Sequence, residues 1–205
     1  MSPGRDGADG ALSLLAEELR ADEVIAPHVR EPDAAPELGR LVASGPRAAD
    51  APGEYGLLFE AIREGFLAHY GTPRVLEGAE PDLLLLAGDF LYALGLERLA
   101  ARGDITAVHE LADLISLSAQ LDARDGSEAA EAIGLLWLSS AIAVGGGVDE
   151  GHEHAKDAVR EGRADGAELL RRSAATSAER TGMSAGLAGA ADSIGFASEH
   201  LFDRG

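Results

Sequence analysis

The chain has 205 residues and a formal net charge of −19, which argues against nucleic acid and anionic lipid as partners. Apolar residues make up 46% of it and aromatic residues only 4%, a balance that suits closely packed helices better than a β-sandwich. There are no cysteines, so disulfides, thiolate metal sites and cysteine nucleophiles are excluded.

Residues 1–10, polar and glycine-rich, read as a disordered N-terminus. They lack the apolar core of a signal peptide, which points to a cytoplasmic protein. Residues 11–205 read as one all-α domain. Leu12, Leu15, Leu19 and Val24 are spaced for a helix over 11–26, with Asp9 as its cap. Pro27, Pro32 and Pro36 interrupt the chain, and Pro36 opens a short helix to Ser44. After a loop over 45–53, an amphipathic helix runs from Gly53 to Tyr70. Its inward residues are Leu58, Ile62, Phe66 and Leu67, with Glu60, Arg63 and Glu64 placed elsewhere. Gly71-Thr72-Pro73 stops it.

Pro81 begins a helix to Arg102 that is apolar nearly all round, which predicts the most buried helix of the bundle. Asp89 stands in its middle and is expected to be buried and bonded, since a bare buried carboxylate is costly. Asp104 caps a helix to Ala123, and Ser127 starts another to Val144. The longest uncharged run, Ala132 to Val148, falls short of the ~20 residues a membrane span needs and reads as a core helix. Asp149 caps a helix to Gly162, Asp165 starts one to Arg180, and 182–202 is weakly helical.

Several groups carry possible chemistry. Glu60 and Glu64, one turn apart, fit either a solvated face or a divalent-metal site. His152, Glu153 and His154, with Asp149, Glu150 and Asp157, fit either a solvated helix start or a metal site. His109 and Asp113 read as a surface pair. Tyr92 and Trp137 read as core residues or as walls of an apolar pocket. Lys156 is the only lysine among 17 basic residues. No phosphate loop or nucleophile elbow occurs.

Residues 55–147 resemble the trans-prenyl diphosphate synthases. The matching stretches are Gly71-Thr72-Pro73-Arg74, Ala87-Gly88-Asp89-Phe90-Leu91, Gly103-Asp104, Leu114 to Leu121 and Ile133 to Gly147. The resemblance implies an all-α bundle of the isoprenoid synthase type, truncated here. In that family two aspartate-rich motifs hold Mg²⁺ against a diphosphate. The first would fall at Leu57 to Glu64, where LLFEAIRE keeps only Glu60 and Glu64. Ala132-Ile133 stands where Lys-Thr is expected, and no second aspartate motif follows Gly147.

The resemblance therefore implies a non-catalytic subunit. It would pair, as a homodimer or as a heterodimer with a catalytic prenyl diphosphate synthase, through the helices over 83–102 and 105–123. A pocket near Asp89, Tyr92 and Trp137 would admit an apolar prenyl ligand. The alternatives are a divergent prenyltransferase acting on isopentenyl and allylic diphosphates, with Glu60, Glu64 and Asp89 around Mg²⁺, and a helical interaction module with no isoprenoid role.

Overall fold

Turn chemistry places the helix boundaries, and the computed structural model, which describes residues 8–124, 126–194, 196 and 201, is all-helical. Its α-helices are α1 (Ala11–Leu19), α2 (Glu37–Ala43), α3 (Pro52–Tyr70), α4 (Pro81–Ala101), α5 (Ile105–Asp122), α6 (Ser127–Gly146), α7 (Glu150–Arg160), α8 (Gly166–Thr181) and α9 (Ser184–Ser193). Single 3₁₀ turns occupy Ala26–His28 and Pro46–Ala48, and the only pairing of β type among the described residues is the isolated bridge of Val29 with Leu76.

Proline at the first position opens α3 and α4, where its missing N–H would have no partner in any case. The Asp104 carboxylate accepts from Ala107 N to cap α5, and the Asp149 carboxylate accepts from His152 N to cap α7. Gly147 at φ +109° and Gly182 at φ +75° end α6 and α8 in conformations that a side chain would strain.

α6 is the central helix. Leu135, Leu136, Trp137, Leu138, Ser139, Ser140 and Ala141 are all within 1% of full burial. It packs against α5, α8 and α2, with smaller contacts to α7 and α9. By length and composition α6 is apolar enough to cross a membrane, but most of it is buried inside the fold. A second core cluster joins Leu12, Leu15 and Leu19 of α1 to Leu57, Ala61, Val75, Ala87 and Leu91.

The structure corrects the helical framework read from the sequence. α4 is not the most buried helix: Leu85, Leu86 and Phe90 are exposed at 47%, 58% and 41%. Apolarity on every side fixes no orientation, and α4 lies outside α3. Of the first ten residues, Ala8 is buried and Asp9 pairs with Arg40, while 1–7 lie outside the described residues. α1 ends at Leu19, leaving Val24 63% exposed, and its N-cap Gly10 provides no side-chain bond.

Candidate functional site

α3 carries the first charged cluster. Glu60 and Glu64 are both fully buried, not solvated. Arg74, supplied by the loop after α3, reaches back between them: Nη2 donates to Glu60 Oε2 and Nε to Glu64 Oε1, each at 2.5 Å. Backbone amides take the remaining oxygens. Gly39 N donates to Glu60 Oε1 at 2.7 Å, and Arg74 N and Val75 N donate to Glu64 Oε2. The approach of α2 depends on Gly39, where a Cβ would lie 2.8 Å from Glu60 Cγ. All four carboxylate oxygens are thus engaged, and a guanidinium stands where the sequence left room for a cation. Burial alone would weaken the charge on Arg74; the two carboxylates outweigh it and drive its pKa up.

Arg63, on the same helix, is different. Its guanidinium lies 4.7 Å above the Trp137 ring and 5.3 Å from Phe66. Nη1 is enclosed and donates to nothing. Burial first, then the neighbouring Arg74 charge, push its pKa down to about 10.

Asp89 is not buried. Its side chain is 72% exposed on the outer face of α4, with His69 Nε2 3.3 Å away in a geometry that makes no hydrogen bond. The preceding Gly88 has the packing role: a Cβ there would lie 2.2 Å from the His69 ring and 3.1 Å from the Gly65 carbonyl. Gly65, Gly88 and Gly95 let α3 and α4 cross at close range. Tyr92 is half-buried against His69, with its hydroxyl enclosed and unpaired; burial raises its pKa. Trp137 is fully buried between Phe59 and Phe66. Glu60, Glu64 and Asp89 therefore do not converge, the first two lying buried and Asp89 facing outward.

A second cluster was only half visible in the sequence. His152, read as part of an exposed helix start, is buried, and so is Lys156. Both turn toward Glu110 of α5. Glu110 Oε1 accepts from Ser140 Oγ at 2.6 Å and lies 2.7 Å from His152 Nε2, and Oε2 accepts from Lys156 Nζ at 2.7 Å. Lys156 also reaches Asp113 and Glu153. Burial would raise the pKa of Glu110, but His152 and Lys156 outweigh it and hold it at about 2. The cluster floors a cleft of about 460 Å³ shared with Ile105, Thr106, His109 and Val148. The clue was the i, i+4 spacing of His152 and Lys156 on a helix whose other face is acidic. His154 stays exposed, and among the described residues no group of three or more acidic or His side chains is arranged to hold a metal.

No family model matches the chain, and no curated protein or solved structure does.

Proposed function

We propose that this chain is a non-catalytic helical subunit that docks on a larger partner through the outer face of α4. The observation that carries this is the exposed run Leu85, Leu86 and Phe90 on α4, in a domain that buries its other long apolar helices. α5 turns Leu111, Leu114, Leu117 and Leu121 inward and leaves Ile105 exposed at its start, so among the described residues α4 carries the largest group of exposed apolar side chains. Contiguous exposed apolar surface of this kind marks interaction sites. The internal pairing of Glu60 and Glu64 with Arg74 supports a non-catalytic role, since it commits the two carboxylates nearest to the family's metal motif.

Charge selects the kind of partner. Asp82, Asp89 and Glu97 are exposed along the same side of α4, and the chain carries −19 overall. Two copies face to face would bring like charges together. A partner with an apolar groove rimmed by arginine or lysine complements both features. The sequence resemblance suggests a catalytic prenyl diphosphate synthase from the same genome as that partner.

Co-expression with that synthase, followed by co-purification and light scattering, tests the proposal. A defined complex that is lost in Leu86→Glu, with the variant's thermal stability unchanged, is the expected result. A chain that remains monomeric beside the synthase overturns it, and so does a homodimer built on α4.

A further inference from the structure

Arg63 faces a cavity of about 340 Å³ lined by Ala34, Ala35, Leu38, Leu67, Arg74 and Ile194, together with Glu37 and Ser193. Five of those walls are aliphatic. The cationic end holds two guanidiniums, and their states differ. Arg74 is committed to Glu60 and Glu64. Arg63 makes no ion pair among the described residues, and its Nη1 has no acceptor. A buried polar group left unpaired is costly, more so if charged, and that cost is recovered only when an acceptor arrives. The Trp137 and Phe66 rings pack against the guanidinium and give Nη1 no acceptor.

From this geometry we infer a ligand site for a small monocarboxylate, its carboxylate on Arg63 and its aliphatic part against Leu38, Leu67 and Ile194. The chemistry narrows the class. Arg63 and Arg74 balance Glu60 and Glu64, so the cluster is neutral and accommodates one added negative charge more readily than two. Glu37 in the lining, already held by Arg40, further opposes a dianion such as a phosphate monoester. Each water takes ~30 Å³ of liquid volume, so the cavity suits a ligand of roughly ten non-hydrogen atoms. Cavities of this size lie at the lower end of those that take small molecules. Arg63 stays charged at neutral pH, because its pKa remains near 10.

Trp137 is the chain's only tryptophan and lies directly beneath Arg63, so it reports occupancy. The probe is octanoate, followed by tryptophan emission and by calorimetry, with hexyl phosphate and octanol as controls. One octanoate per chain should bind and shift the emission, and neither control should bind as well. Arg63→Gln should weaken octanoate at least tenfold. Ala35→Phe, which fills the cavity from an exposed position and leaves the core alone, should do the same by calorimetry while keeping the helical circular dichroism. No binding at millimolar octanoate overturns the site. Binding unchanged in both variants overturns it too, and tighter binding of hexyl phosphate overturns the monocarboxylate assignment.

Discussion

Lys156→Met should cost about 3–5 kcal/mol of stability at pH 7, the usual result of removing one partner of a buried ion pair. The lysine is 2% exposed and its Nζ meets Glu110, Asp113 and Glu153. Asp113 and Glu153 are about half-exposed and will simply rehydrate. Glu110, 1% exposed, cannot. Removal of the lysine strips Oε2 of its donor and leaves His152 and Ser140 on Oε1. A domain of this size is stable by ~5–15 kcal/mol in total, so the loss is large. The same network sets an acid limit. Glu110 is held below its unfolded value, from 4.5 to about 2, which corresponds to ~3 kcal/mol. Because its pKa is depressed, this stabilisation is present above about pH 4.5 and disappears as pH falls toward 2. Urea unfolding followed by circular dichroism, at pH 7 and in steps down to pH 2.5, measures both effects. The double variant Glu110→Gln with Lys156→Met should lose less than the two single losses summed, because neither charge is left alone. A Lys156→Met loss under ~0.5 kcal/mol at pH 7, the range of an ordinary surface change, would refute the reasoning.

The two residues of the Gly-Asp pair on α4 should separate. Gly88→Ala, which places a methyl 2.2 Å from the His69 ring, should cost ~1–3 kcal/mol, whereas Asp89→Ala should fall within ~0.5 kcal/mol; thermal melts of the two isolated variants decide it. Asp104→Ala removes the α5 cap together with the bonds to Arg47 and Tyr55 and should cost ~2–3 kcal/mol, read from the same melts. The isolated chain incubated with labelled isopentenyl diphosphate, an allylic diphosphate and Mg²⁺ should yield no longer prenyl product, and extraction of one would restore the catalytic alternative.

Much of the helical framework was legible because capping is local. Asp104 and Asp149 sit at turns, and Pro81 stands at a first helical position, so chain neighbours alone place three helix starts, whereas Pro52, read as loop, opens α3 one residue before the expected Gly53. The sidedness of α3 and α4 was not legible. Glu60 and Glu64 look like an ordinary exposed pair until Arg74 arrives from a loop outside the helix, and nothing in the helical spacing announces that arrival. Asp89 looks like a buried oddity because its neighbours are apolar, yet Leu85, Leu86 and Phe90 around it are themselves exposed. A similar failure hid Glu110, whose partners lie 42 and 46 residues further on. In each case the missing information is a non-local contact that reverses the meaning of a local pattern.

That placement of cations has a consequence for solution behaviour. The chain has 36 acidic and 17 basic residues, and it spends Arg63, Arg74 and Lys156 in its interior. The buried clusters are internally compensated, with Arg63 and Arg74 against Glu60 and Glu64, and Lys156 and His152 around Glu110. The uncompensated acids are therefore concentrated on the surface, where they repel one another. Salt screens exposed charges strongly and buried pairs weakly, the Debye length falling from ~10 Å at 0.1 M to ~3 Å at 1 M. Added sodium chloride should thus raise the melting temperature by relieving surface repulsion, with little loss from the enclosed pairs. Lys156→Met should show a salt increment at least as large as the wild type's, because it releases the half-exposed Asp113 and Glu153 to the surface. Melts between 0.05 and 1 M salt measure this. A melting temperature that falls with salt would mean that exposed ion pairs, rather than surface repulsion, dominate the electrostatics of the domain.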